Sequence, residues 1–237
     1  MKKLMIAFVL VLLTACVCGA AVKHTPEYKM TDDIISAMHK CLAALETNFV
    51  DAPSDSDKEL RLDNERALYD SAKALMKPWL DPYTSPDSAT ASIIVDGIDK
   101  MRGTVGRELE AGKEYLAGNL SEDEMDDRAT AFIDARADGA KDILDAAKLL
   151  LFLLSGPVDK NAKPTDKIKL LVTASEQKLL LAKIDSLFSK SFIKYSDQMT
   201  KPDRDAEATV ARAASRLRAL FAAKTQAEGD AALSLDD

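Results

Sequence analysis

The 237-residue sequence predicts an all-α protein, an antiparallel bundle of about six helices, three of them long. Three observations carry that reading. Apolar residues return at steps of three and four through most of the chain, the rhythm of one helix face. No stretch alternates apolar with polar like a half-buried strand, and hairpin signals such as Asn-Gly are absent. Prolines and small polar clusters fall between the periodic stretches, leaving connections short enough to make successive helices antiparallel neighbours. Hydrophobic residues make up 47% and charged residues 30%, which suits a packed domain rather than a disordered one.

Taken in order, residues 16–30 read as a tether, with Pro26 and no sustained periodicity. The first helix is expected from Thr31, a good N-cap followed by Asp32 and Asp33, to Phe49; Ile34, Met38, Leu42, Leu45 and Phe49 line one face. A polar turn around Pro53 leads to a second helix from Asp57 to Met76, with Leu60, Ala67, Leu68, Leu75 and Met76 inward, ended or kinked by Pro78. The loop from Pro78 to Pro86 holds three prolines and the only tryptophan. A third helix is expected from Ser85, with Pro86 at its first position, to about Gly118, on the heptad-like run Ile94, Ile98, Met101, Val105, Leu109, Leu116. Gly97, Gly103, Gly106, Gly112 and Gly118 lie in this stretch, marking a close approach, a bend or room for a pocket.

Ser121 with Glu124 three residues on forms a capping box for a fourth helix to Leu154. Met125, Ala129, Phe132, Ile133, Ala140, Ile143, Leu144, Ala147, Leu150, Leu151 and Leu154 give it a wide apolar stripe, and Gly156-Pro157 stops it. After a linker to Pro164, a fifth helix is expected from Thr165 to Met199, carrying Ile168, Leu171, Leu181, Ile184, Phe188, Phe192 and Tyr195. A sixth is expected from Pro202 to Ala227, with Val210, Ala214, Leu217, Leu220 and Phe221 inward. Gly229 ends it, and residues 229–237 read as a frayed tail. The helical domain is thus residues 31–228, and no repeat of fixed period runs through it.

Ahead of the tether, Lys2 and Lys3 precede an apolar run from Leu4 to Leu13, the layout of a secretory signal over residues 1–15. Leu13-Thr14-Ala15-Cys16 resembles the lipobox of bacterial lipoproteins. That resemblance implies cleavage before Cys16, a lipid on its sulfur and attachment in the bacterial cell envelope. Val17, where lipoproteins retained at an inner membrane often carry Asp, points to the outer membrane. Plain secretion into the periplasm or medium, with cleavage near Ala20 or Ala21, is the alternative. An uncleaved anchor ranks last, because the apolar run is shorter than the roughly 20 residues a spanning helix needs.

The net charge is −7, and loss of Lys2 and Lys3 with the signal takes it to −9. An acidic chain of pI near 5.0 argues against nucleic acid as a partner. Besides Cys16 there are Cys18 and Cys41, which either pair in an oxidising compartment or stay as thiols with Cys41 packed as a small hydrophobe.

Chemistry is thinly represented. His24 and His39 lack metal-ligand spacing, and no cofactor or metal is expected. The acidic run Glu122 to Asp127 reads as a solvated helix start, and Asp51, Asp55 and Asp57 lack the glycine and terminal Glu of a calcium loop. No serine has a GxSxG setting or an evident histidine base. Trp79 and Tyr83 form a candidate contact loop, although such aromatics more often fold back to plug the end of a bundle. Arg212, Arg216 and Arg218 form a candidate basic patch, with dipole complementarity and acidic neighbours as the simpler account. The expectation is a lipid-anchored protein that works by protein contact, as scaffold, adaptor or immunity-type module. The alternative is a ligand-binding or sensory bundle with a pocket between helices; an enzyme is not expected.

Overall fold

The computed structural model describes residues 23–47, 53–156, 161–190 and 201–234. Helix accounts for 78% of it and no strand occurs among the described residues, so the chain is all-α. Eight helices, rather than six, are described. They are α1 (Pro26–Glu46), α2 (Asp55–Met76), α3 (Ser88–Arg102), α4 (Arg107–Leu116), α5 (Glu122–Ser155), α6 (Ala174–Lys190), α7 (Lys201–Ala222) and α8 (Gln226–Ser234). A 3-10 turn, Lys77–Trp79, follows α2. Cys16 and Cys18, Phe49, Asp51, Phe192 and Tyr195 lie outside the described residues, as do the side chains of Ala140, Ile143, Leu144, Ala147, Phe188 and Val210.

The extra helices come from breaks that apolar periodicity alone does not show. The expected third helix is interrupted at residues 103–106, where Gly106 takes a φ of 87° that suits glycine and restarts the chain as α4. The expected sixth helix ends at Ala222, and a new cap at Thr225 starts α8. Gly229, expected as a terminator, sits inside α8 and lets Ile168 approach; a Cβ there would stand 2.1 Å from Ile168 Cδ1. Residues 229–234 are therefore helical and Ala232 is buried, where a frayed tail was expected.

Three helix starts also differ. α1 begins at Pro26, its N-cap Thr25 accepting from the Tyr28 amide. Thr-Pro is a favourable opening, since proline at the first position has no amide to satisfy. Pro26 to Met30 are thus the first turns of a helix and not tether, and Thr31, expected as the cap, is fully buried with its hydroxyl donating to Glu27 O (2.7 Å). Asp87, not Ser85, caps α3, accepting from the Thr90 amide at 3.0 Å. Residues 161–173 do not form the start of a helix. Instead Thr173 and Glu176 make a capping box for α6, with Glu176 N–H donating to Thr173 Oγ1 (3.3 Å) and Thr173 N–H to Glu176 Oε2 (2.8 Å).

The most extensive packing joins α3 to α5 and α1 to α2. α3 and α5 run in opposite directions, since Thr104 meets Arg136 and Lys100 meets Asp142. They come close at Gly139, where a Cβ would lie 2.6 Å from both Gly97 O and Met101 Cγ. One core runs through Ile34, Met38, Ile94, Ile98, Met101, Leu150, Leu151 and Leu154, all buried. The stripe expected on α5 is buried at Leu150, Leu151 and Leu154, whereas Ile133 is 44% exposed. Cys41 is a free thiol in this core, and burial pushes it up to about 12. Tyr69 is fully buried beside Glu65; burial first, then the charge of Glu65, raises its phenol well above 10.0.

Candidate functional site

The described chain starts at one end of the molecule, and that end is assembled from distant segments. Thr25 N–H donates to Glu176 Oε1 at 3.2 Å, and His24 Nδ1 lies 3.0 Å from the same oxygen. A carboxylate can only accept, so His24 carries its proton on Nδ1. His24 stacks on Tyr28 with ring centroids 4.3 Å apart. Glu176 is 4% exposed; burial raises its carboxyl, but hydrogen bonds from Thr173, His24 and Thr25 outweigh that and hold it below its ordinary 4.5. Leu171 N–H donates to Leu154 O (3.0 Å), and the amides of Gln226 and Ala227 donate to Asp166 O and Pro164 O. The start of α1, the end of α5, residues 161–173 and α8 therefore meet here, at what is called below the near end.

Trp79 and Tyr83 also belong to this end but divide in role. Trp79 is half-buried against the core and its Nε1 donates to Asp33 Oδ2 at 2.8 Å, so it is the plug. Burial raises the Asp33 carboxyl despite that bond. Tyr83 is 95% exposed, its amide held by Asp81 Oδ1 at 2.9 Å.

Beside the near end, α1 and α6 share a polar seam. Lys183 Nζ pairs with Asp32 and donates to Ser36 Oγ at 3.0 Å. His39 Nε2 lies 3.0 Å from Ser186 Oγ and 3.2 Å from Lys183 O. This is a serine–histidine contact that the sequence does not announce, because its partners are 147 residues apart. Its geometry is not that of a nucleophile and its base. The carbonyl accepts only, so Nε2 bears a proton, and Ser186 Oγ donates to Lys183 O at 2.7 Å.

The basic patch is not a free surface. Arg218 pairs with Asp185 of α6, and Arg212 and Arg216 also have interacting neighbours. Among the described residues no group of three His, Cys, Asp or Glu could hold a metal ion. A cleft of about 270 Å³ is lined by Gly156, Asp166, Lys167, Ile168, Lys169 and Gln226, among others. It lies below the roughly 300–1,000 Å³ of typical ligand sites.

At the opposite, far end, α4 packs on the first turns of α5 through Glu114–Arg128 (2.8 Å) and Glu108–Arg136 (3.0 Å). Leu116 there is 86% exposed and Tyr115 40%. No described helix is long and apolar enough to cross a membrane. No family model, no curated protein and no solved structure matches the sequence, so the functional reading rests on the chain's own residues.

Proposed function

We propose that this is an exported helical-bundle protein, anchored in the bacterial envelope by a lipid on Cys16, that acts by protein contact rather than catalysis. The single observation that carries the reading is the signal-like N-terminus ending in Leu13-Thr14-Ala15-Cys16. The structure is compatible with it in two ways. The chain is fixed to the folded body from His24 onward, eight residues after Cys16. Among the described residues, the most exposed large apolar side chains, Tyr83 and Leu116, stand in short connections or at helix ends, where a partner can reach them without disturbing the core.

In this reading Leu116 and Tyr115 at the far end are the first contact residues to test, with Tyr83 second. Partition tests the anchor. Wild-type protein should remain with alkali-washed membranes, and Cys16→Ala should lose lipidation. A wild-type protein found in the soluble fraction contradicts the anchor and leaves a secreted helical protein.

A further inference from the structure

We propose that the near end is a docking face for anionic phospholipid headgroups, made by Lys163, Lys167 and Lys169 with the exposed Leu171 of the same segment. Docking in this orientation presupposes the Cys16 anchor. Seven residue-to-residue steps lead from Cys16 to Lys23, so the tether reaches at most about 25 Å even when fully extended. α5 has 34 residues and is roughly 50 Å long. A tether of that reach cannot lay the far end flat on the bilayer, but it is long enough to let the near end reach it.

Charge favours the same orientation. Residues 161–173 hold three lysines and one acid in a chain of net charge −7. Several cations along the helix flanks are matched, as in Lys73–Asp99, Lys100–Asp142 and Arg102–Asp70, while others, such as Lys29, Lys77 and Lys113, stand singly rather than in a cluster. Lys163, Lys167 and Lys169 are exposed, and among the described residues none of them makes an ion pair. The one acid of the segment, Asp166, accepts from the Lys163 amide at 2.6 Å. The densest acidic run, Glu122 to Asp127, starts α5 at the far end, where an anionic surface would repel it. Leu171 is 37% exposed and is bound to the end of α5 by its amide. Lysines beside exposed apolar groups are the composition of an interfacial surface. Each lysine near an anionic bilayer is worth about five-fold in partitioning.

The test is lysine footprinting of the wild-type protein reconstituted into vesicles of phosphatidylcholine alone, or of phosphatidylcholine and phosphatidylglycerol in about equal parts. Acetylation of Lys163, Lys167 and Lys169 should slow about five-fold on the mixed vesicles and recover in high salt. Lys113, near the far end, should label equally on both. Lys167→Glu combined with Lys169→Glu, both exposed substitutions, should abolish protection of Lys163 while leaving the helical signal intact. Equal labelling of the three lysines on both vesicles overturns the docking face. The mass of the N-terminal peptide, read from the same digest, reports the anchor separately. If it shows no lipid, the same protein is sedimented with the same vesicles. Binding to mixed vesicles alone, lost in the double variant, then supports the lysine face without the anchor, and no binding overturns it.

Discussion

The two ends of the molecule are built in different ways. At the far end, the ion pairs Glu114–Arg128 and Glu108–Arg136 span 14 and 28 residues, and the Ser121–Glu124 capping box spans three. At the near end, one buried carboxylate collects residues 24, 25 and 173, across sequence separations of up to 152. The far end is therefore a local structure dressed with exposed charge. The near end forms only when the first and sixth helices have both docked. The difference teaches that the chain's start is a structural part of the near end, so a tether pulling on Lys23 acts on the core and not on a loose tail.

The largest effect should come from the core next to the near end. Leu150 is 2% exposed, and Leu150→Asp would bury an unpaired carboxylate at a cost of about 3–5 kcal/mol. Loss of a cooperative thermal transition is the expected result; a parent-like melt would contradict the placement of α5.

Two glycines then compare the middle of the molecule with the far end. Gly139→Ala would put a Cβ 2.6 Å from the backbone of α3 and should cost about 1–3 kcal/mol. Gly112→Ala, on α4 with nothing within 4 Å, should gain up to about 1 kcal/mol from helix propensity. Opposite signs in denaturant melts are the outcome to look for.

A subtler test sets the near end against acid. The folded carboxyl of Glu176 is held below its unfolded value, so the stability it contributes is present above about 4.5 and is lost as pH falls through the folded value. Wild-type stability should therefore fall in acid by more than that of Glu176→Gln, and the two curves should converge at low pH. Parallel curves would deny Glu176 its role in binding the chain's start. The smallest effect is an absence: Cys41, with its thiol pushed up to about 12, should resist alkylation at neutral pH until the protein unfolds.

The same contrast explains what the sequence made legible. The all-α class, the α5 stripe at Leu150, Leu151 and Leu154, and the Ser121 cap depend on residues three to seven apart, and pattern captures them. The start of α1 was readable too, since Thr25-Pro26 is a helix opening, but the proline also suits a tether. Thr173-x-x-Glu176 and Thr225-x-x-Glu228 repeat the signal of Ser121-x-x-Glu124. They are easily missed because Ile168 and Leu171, like Phe221, extend the apolar rhythm across the break and favour one long helix over two segments. Which aromatic of the proline-rich loop turns inward was not readable at all. Trp79 is committed by Asp33, a partner 46 residues away. Lys167 and Lys169, two apart, would not share a face of the helix expected there, and the lysines of residues 161–173 come together only because that segment is non-helical and next to the chain's start.

The proposed lipid on Cys16 would hold the near end to a membrane, and the mass of the mature N-terminal peptide reads it out. The expected peptide begins at Cys16 and carries the added mass of a diacylglyceryl group, with or without an acyl group on its amine. An unmodified peptide with a free N-terminus at Ala21 or Val22 would contradict it.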